Sequence, residues 1–457
     1  MTDVAIRLRE AIGAEKVLTS LEDRIAYSYD GTFEQDLPDV AVLPESTEDV
    51  AAAVRIAAEE GHPVIARGMA SGLAAASVPF GGGIVLSLTR MNRILEIDDE
   101  NHVARVEAGV VTADLEAAVG KLGLFYPPDP SSNEQSTIGG NIACNAGGPR
   151  CLKYGVTGDY VMGLTVVLPD GRVLRTGGKA IKNVVGYDLT SLFVGSEGTL
   201  GIITEALLRL TTKPQFVRTA RAEFPELEDA SRTVNAILDV GVVPATLELM
   251  DETAITCIEE AMGLGLPLDV EAMLIIETDG MDGAAVLREI ETVAQVCREN
   301  GAREVIVAET EEERDQLWRA RRSVSPSLAR KAPNKLGEDI TVPRSAIPEA
   351  IRRIKQISTD YGLPIVVFGH AGDGNLHPNI LFDKREEEQW ERVERIVGEI
   401  FQVALDLEGT LSGEHGVGTL KKPYMEKALG SLSVEVQWRI KRAFDPHNIL
   451  NPGKVLP

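Results

Sequence analysis

Six histidines occur in the 457 residues, and three of them, His370, His377 and His415, fall within 46 positions. The first two belong to Gly369-His-Ala-Gly-Asp-Gly-Asn-Leu-His377, the third to Ser412-Gly-Glu-His-Gly416. Ile365 to Ala371 and Asn375 to Phe382 are rich in β-formers, and a two-residue turn on Asp373-Gly374 between them is a strong hairpin signal. That register pairs 372 with 375, 371 with 376, and His370 with His377. The two imidazoles then stand directly opposite on one face, with Cβ atoms about 4.5–5.5 Å apart. Asn379, two residues on, shares that face. Two imidazoles so placed reach one divalent ion at roughly 2.0–2.1 Å each, and Glu414 supplies a carboxylate, leaving other positions open for substrate. The bland alternative is a pair of packing histidines on a hairpin. A facing pair at an Asp-Gly turn, with a Glu-His dipeptide downstream, favours metal. Pro378 cannot donate to a ladder, which predicts an edge strand or a local irregularity.

The elements that position these residues are alternating strands and long helices. Between 215 and about 425 the helices are Leu227 to Leu238, Ala284 to Arg298 and Ile347 to Tyr361. The strands are Ala245 to Leu249, Ala272 to Glu277 and Val305 to Ala308. This pattern reads as an α+β domain with a duplicated ferredoxin-like unit. Glu309 to Asp315 reads as a solvated helix N-terminus, and an amphipathic helix (Val393, Ile396, Val397, Ile400, Phe401, Ala404) precedes the Glu-His pair, with Gly409 ending it. The first half reads as α/β. Val40 to Leu43 is a strand, Ser46 caps a helix with Asp49 at the capping-box position, Gly61 stops it, and Pro63 to Ala66 is the next strand. Ile84 to Leu88, Ile94 to Ile97 and Val103 to Val106 are further strands, Thr112 to Leu122 a helix, and Thr211 to Pro214 a linker. Met1 to Lys16 has the spacing of an amphipathic helix and lacks the apolar run of a signal peptide.

Most of the glycine lies between Pro127 and about Gly201. No Gly-x-Gly-x-x-Gly joins a first strand to a helix, so the Rossmann mode has no support. The loops are Gly68 to Leu73, Thr137-Ile-Gly-Gly-Asn-Ile-Ala-Cys-Asn-Ala-Gly-Gly148, Lys153-Tyr-Gly155 and Gly195-Ser-Glu-Gly-Thr-Leu-Gly201. Glycine permits positive φ and lets N–H groups approach an anion closely, so together such loops can cradle a pyrophosphate and flank a flavin.

The run Pro127-Pro-Asp-Pro-Ser-Ser132, the loops above, Gly186-Tyr-Asp-Leu189 and Gly195-Ser-Glu-Gly-Thr-Leu-Gly-Ile-Ile-Thr-Glu205 resemble the FAD domain of the vanillyl-alcohol oxidase family. Within it the chain resembles the group of glycolate oxidase flavin subunits and D-lactate dehydrogenases, from about residue 36 to Pro457. The resemblance implies a two-subdomain FAD-binding domain over 1–214 and a ferredoxin-like substrate (cap) domain with the metal site over 215–425. It also implies a C-terminal segment, 426–457, returning to the FAD domain.

For the cofactor, the resemblance implies pyrophosphate contacts from Arg67, Gly68, Met69, Ala70, Ser71, Gly72 and Leu73. Flavin or ribityl contacts are implied at Pro128, Asp129, Thr137, Ile138, Gly140 and Asn141, and further ones at Gly148, Val156, Glu197, Gly198, Ile203 and Asn451. The first loop has no His, which predicts non-covalent FAD. For the substrate, His370, His377 and Glu414 match the ligands of a divalent metal (zinc, with manganese or iron as alternatives), His415 a catalytic base and Asn379 a substrate contact. Arg321, in Leu317-Trp-Arg-Ala-Arg321, matches the arginine that grips the substrate carboxylate, and Ser325 lies one helical turn beyond. The plain alternative for Arg321 is one more charge on a helix face with Arg319 and Arg322.

Composition sets the outer bounds. Hydrophobic and charged contents of 44% and 25% fit a globular protein. A net charge of −24 argues against nucleic-acid binding and requires any anion site to be a local basic pocket. The four cysteines lack metal or cluster spacing and read as reduced thiols. No run of 18 apolar residues occurs, so a cytoplasmic protein with no membrane span is expected, peripheral to a membrane only through partner subunits. Iron–sulfur centres, if used, belong to another subunit.

The expected reaction is FAD-dependent oxidation of a short D-2-hydroxy acid, D-lactate or glycolate, to the 2-oxo acid. The acceptor is an electron-transfer flavoprotein, a quinone, a cytochrome or iron–sulfur subunits, in a homodimer or hetero-complex. Alternatives are a D-2-hydroxyglutarate dehydrogenase, a non-catalytic subunit of an oxidase complex, and an FAD reductase of a nucleotide sugar.

Overall fold

The computed structural model describes residues 3–457; the first two residues of the expected N-terminal helix lie outside that range. The chain divides into two compact units. Among the described residues, one comprises 3–148, 156–213 and 414–457, the other 149–155 and 214–413. The return to the first unit thus begins at Glu414, where position 426 was expected, and Pro149–Gly155 belongs to the second unit.

The first unit holds two sheets with separate cores. In one, Val17–Leu18, Val40–Val42, Ile84–Ser87 and Val64–Arg67 lie side by side, the last three parallel. Their connecting helix, Thr47–Glu60, starts at Ser46, whose hydroxyl accepts from the Asp49 N–H at 3.1 Å. It stops at Gly61, which is left-handed at φ 68°. The reciprocal bond from Asp49 reaches the N–H of Glu45, one residue before the cap (3.0 Å). The other sheet is antiparallel, in the order Ile94–Asp98, Val103–Glu107, Ile202–Arg209, Val161–Val167, Val173–Gly177. The expected linker at 211–214 begins as a strand, Thr211–Thr212, paired with Leu124–Phe125.

The C-terminal segment is stitched into this unit by buried lysines. Lys441 Nζ donates to the carbonyls of Thr199 (2.7 Å) and Leu450 (2.9 Å) and to Asp445 (2.5 Å). Lys454 Nζ donates to Ala75 and Val78 carbonyls at 2.7 and 2.8 Å. Val64 makes a parallel bridge with Leu450.

In the second unit we label the strands β1 Phe216–Phe224, β2 Thr246–Asp251, β3 Ala272–Gly280, β4 Glu304–Val307, β5 Asn334–Gly337, β6 Ile340–Thr341, β7 Ile365–His370 and β8 Asn375–Phe382. The helices are α1 Leu227–Asp239, α2 Glu252–Met262, α3 Gly283–Glu299, α4 Glu311–Lys331, α5 Ile347–Tyr361 and α6 Glu387–Asp406. The sheet order is β4-β1-β3-β2-β7-β8-β5, with β6 also on β8. The first four strands follow the ferredoxin-like 4-1-3-2 order, all antiparallel. The second half repeats it, its fourth strand reduced to the isolated bridge Thr341↔Thr410. The two copies join where β2 meets β7.

Period-2 alternation divides the sheet faces. Even-numbered positions of β7 and β2 (Phe368, His370, Glu248, Met250) face the side where α2 and α4 pack, with Met250, Ile275, Val324 and Phe368 in one buried cluster. The same face of β8 carries His377 and Asn379.

Candidate active site

The hairpin register differs from expectation by two residues. Phe368 pairs with His377 and His370 with Asn375, across a four-residue loop 371–374. A two-residue type I′ turn needs φ > 0 at both central positions, and only Gly374 is left-handed here, at φ 84°. A shift of two keeps each side chain on its face. The histidines are therefore diagonal neighbours, with Nε2 atoms 3.4 Å apart and ring centroids at 5.1 Å. A Cβ on Gly374 would sit 2.0 Å from the Val342 carbonyl oxygen. Gly374→Ala should cost about 2–3 kcal/mol from the positive φ and this clash, read as a lowered urea midpoint at unchanged m.

Pro378 is not on an edge. Its carbonyl accepts from Glu338 N–H (2.8 Å), on the side where the neighbouring strand breaks between β5 and β6, so its missing N–H faces a gap in the ladder. The alternative expectation, a local irregularity, describes the position.

His370 Nδ1 lies 2.5 Å from Glu248 Oε1, and Arg321 Nε donates to Glu248 Oε2 at 2.6 Å. Glu248 is 0% exposed and stands opposite His370 in the β2·β7 ladder. Burial alone would raise its pKa, but the facing His370 and Arg321 outweigh it and hold the carboxyl at about 2. Arg321 points inward, unlike exposed Arg322, and stacks over Phe368 with its Cζ 4.8 Å from the ring centroid. No other described residue hydrogen-bonds its Nη atoms. One turn earlier on α4, Trp318 Nε1 donates to Glu277 Oε2 at 2.9 Å. Two sheet carboxylates thus dock the helix. Sequence reasoning missed Glu248, although an acid amid Thr246-Leu-Glu-Leu-Met250 was a signal: its neighbours point to the opposite, apolar face.

Asn379 is buried, its Nδ2 donating to His377 O (2.9 Å). Ser325 is exposed and accepts from Lys335 Nζ of β5, whose pKa burial lowers. Asp339 fixes the start of the Ser-Gly-Glu-His motif, accepting from Ser412 Oγ (2.6 Å) and Gly413 N–H (3.0 Å). Glu414 follows at once. Its carboxylate and the rings of His370 and His377 offer ligand atoms all within 4.8 Å of one another. Two nitrogens bound at roughly 2.0–2.1 Å to a tetrahedral ion lie roughly 3.3 Å apart, so the donor set fits a divalent metal. His415 Nε2 is 3.6 Å from Glu414 Oε1. In the other acidic group, Glu226 and Glu228 are exposed and Glu271 is half-buried, and the group serves Arg352 and the N–H of Leu227.

In the first unit the glycine loops converge. A Cβ on Gly68 would meet Thr137 Oγ1 at 2.1 Å, and one on Gly148 would meet Asp129 O at 2.4 Å. Thr137 caps the helix Ile138–Cys144, accepting from Gly140 N–H (3.3 Å), while Asn141 Nδ2 donates to Thr112 Oγ1 (2.8 Å). Gly195 and Glu197 N–H groups bond to Ile142 and Ala143 carbonyls. Glu197 Oε1 and Oε2 accept from the Val417 and Gly418 N–H groups, and Asn451 Nδ2 donates to the Glu197 carbonyl (2.7 Å). Ala70, Glu197 and Asn451 adopt left-handed φ of 54°, 49° and 43°, unusual for non-glycine residues and concentrated where these loops meet. Met69 and Leu73 are exposed, Gly72 between them has open space beside it, and the buried Arg67 Nε and Asn451 Oδ1 have no partner among the described residues. These features fit a cradle completed by a dinucleotide.

Other positions hold the loops. Arg67 Nη1 donates to the Tyr27 and Tyr29 carbonyls. Pro128, Ile138 and Ile203 are buried, Val156 N–H donates to Asp159 (2.8 Å), and Gly198 is left-handed at φ 72°. Ser71 is half-buried. The Lys153-Tyr-Gly segment belongs instead to the second unit, where Lys153 Nζ and Tyr154 OH both donate to Asp279. Tyr187 is 95% exposed, while Asp188 beside it caps the helix Leu189–Phe193. None of the four cysteines forms a disulfide, and no helix among the described residues is long and apolar enough to cross a membrane.

Residues 38–177 match the model of an FAD binding domain, and residues 213–455 that of the C-terminal domain of FAD linked oxidases. The chain is 47% identical to glycolate oxidase subunit GlcD of Bacillus subtilis, over 99% of this chain and 96% of that protein. It is 35% identical to a D-lactate dehydrogenase of Anaerostipes hadrus, over 100% and 98%. Crystalline p-cresol methylhydroxylase superposes with a TM-score of 0.81 at 18% identity, covering 99% of this chain and 96% of that one, which fixes the fold as the vanillyl-alcohol oxidase type. With a matched FAD-binding domain, a matched oxidase domain and full-length relatives, the chain belongs to the family of FAD-linked oxidases, flavin-dependent oxidoreductases.

Proposed function

We propose that this protein oxidises a short D-2-hydroxy acid, D-lactate or glycolate, to its 2-oxo acid. The observation that carries the reading is the pairing of an inward-facing arginine fork with two histidines on one sheet face, whose ring nitrogens lie within 4.8 Å of a Glu414 carboxylate oxygen. The names of the relatives, a glycolate oxidase subunit and a D-lactate dehydrogenase, support it. The first unit holds FAD non-covalently and the second holds the substrate carboxylate. When bound, FAD would supply the hydride acceptor, and a divalent ion (zinc, manganese or iron) held by His370, His377 and Glu414 would supply Lewis acidity toward the hydroxyl.

The chain's own residues do the rest. Arg321 grips the carboxylate through its Nη pair, a planar fork matched to two oxygens. Asn379 orients the bound acid, and Ser325 lies beside the anchor. His415 accepts the hydroxyl proton on a ring nitrogen and releases it to solvent. Electrons leave to a partner: the subunit in the relative's name supports a hetero-complex. Four cysteines outside any disulfide support a cytoplasmic location. A second reading, D-2-hydroxyglutarate, draws support from Lys335, whose ammonium sits at Ser325 one turn beyond Arg321 and suits a second carboxylate.

Anaerobic bleaching of the flavin band by D-lactate, glycolate, D-2-hydroxyglutarate and L-lactate tests both. Fast bleaching by a short D-acid or glycolate, and none by L-lactate, is expected. Bleaching by D-2-hydroxyglutarate alone selects the second reading. A flavoprotein that no hydroxy acid bleaches overturns both.

A further inference from the structure

We propose that Glu248 is a positioning residue that sets the metal ligand His370 and the carboxylate anchor Arg321 together. The inference rests on the functional reading above and deepens it. Each oxygen of this fully buried carboxylate has its own partner, His370 Nδ1 at 2.5 Å and Arg321 Nε at 2.6 Å. The bond to Nδ1 fixes the ring proton there and leaves Nε2, the atom turned toward His377, as the lone-pair donor to a metal. The bond to Nε turns the guanidinium so that its remaining fork is free, while Phe368 supports its flat face.

Neither partner could be left alone. The strand register puts Glu248 directly across from His370 and so keeps its carboxylate within reach of that ring. A 2-hydroxy acid carries its carboxylate and hydroxyl on adjacent carbons. One rigid group touching both the carboxylate anchor and a ligand of the hydroxyl-polarising ion therefore fixes the spacing that such a substrate must match. Glu277, which holds Trp318 of the same helix, touches neither functional group and provides the structural comparison.

The test titrates the holoenzyme with Zn²⁺ against a chromophoric chelator, and measures kcat and KM for the acid that bleaches the wild type. Glu248→Gln should weaken Zn²⁺ binding roughly 10–100-fold, the range for losing a carboxylate hydrogen-bonded to a metal-binding histidine, and should raise KM as well as lower kcat. Glu248→Asp keeps the charge but retracts it, and should fold while losing metal affinity. Glu277→Gln should leave Zn²⁺ affinity at the wild-type value even where it lowers the melting temperature. Wild-type Zn²⁺ affinity in Glu248→Gln, or in Glu248→Asp should the former not fold, overturns this assignment and leaves the functional reading intact. A wild-type enzyme that binds no Zn²⁺ overturns the metal reading and the assignment with it.

Discussion

His377→Ala should abolish stoichiometric divalent-metal binding and lower kcat/KM for the hydroxy acid by roughly 1,000-fold or more. A Lewis acid on the reacting hydroxyl contributes several kcal/mol of transition-state stabilisation, and about 1.4 kcal/mol corresponds to a factor of ten. The ring is buried with Nε2 3.4 Å from that of His370, so its loss removes one of two nitrogen donors and opens a void against Phe368. Metal analysis after dialysis and single-turnover flavin reduction read the two effects separately. The flavin spectrum should persist, because the glycine loops of the first unit do not include this residue. A variant that loses metal yet reduces its flavin at the wild-type rate would remove the metal from the mechanism.

Arg321→Met should raise KM by about 100-fold, since a charge-assisted pair to a carboxylate is worth about 1.5–3 kcal/mol. It also strips Glu248 of one of two partners, and a buried charge that loses its counter-charge destabilises by about 3–5 kcal/mol. The two costs are separable. Arg321→Lys restores a cation near Glu248 and should recover most of the melting temperature. It should recover little of the KM, because a single ammonium cannot bond Glu248 and present a planar fork at once. Steady-state kinetics beside thermal melts decide this. Equal recovery of both would mean that Arg321 serves stability and not the substrate.

The reach of the sequence reading follows the range of each interaction. Ser46 and Gly61 announce their helix because caps are local, and the period-2 strands and spaced helices predict the repeated ferredoxin-like unit. The His370/His377 face is legible from alternation alone. Its register is not, because the backbone decides whether one or both turn residues take positive φ. Glu248 lies 122 positions from His370 and 73 from Arg321, and no short-range pattern connects three such strangers. Asp279, which captures Lys153 and Tyr154 from 126 and 125 positions away, eluded reading for the same reason. Pro378 invited an edge assignment because a proline's missing donor is visible in sequence, whereas the gap it faces is a property of its neighbours.

The threading of the first unit has a consequence for biosynthesis. Its sheet strand at Val64 is bridged by Leu450, and Lys454 closes on the carbonyls of Ala75 and Val78. These contacts cannot form until residues 450 and 454 have left the ribosome. At about 5–20 residues per second, the amino-terminal part waits tens of seconds with apolar strands unsealed. The intervening domain, whose ladders are complete within residues 214–413 once the short 149–155 segment is supplied, is free to mature during that delay. Nascent chains therefore present chaperones with an open first unit while the second is already folded, and deletion of residues 446–457 should destabilise the strand at Val64.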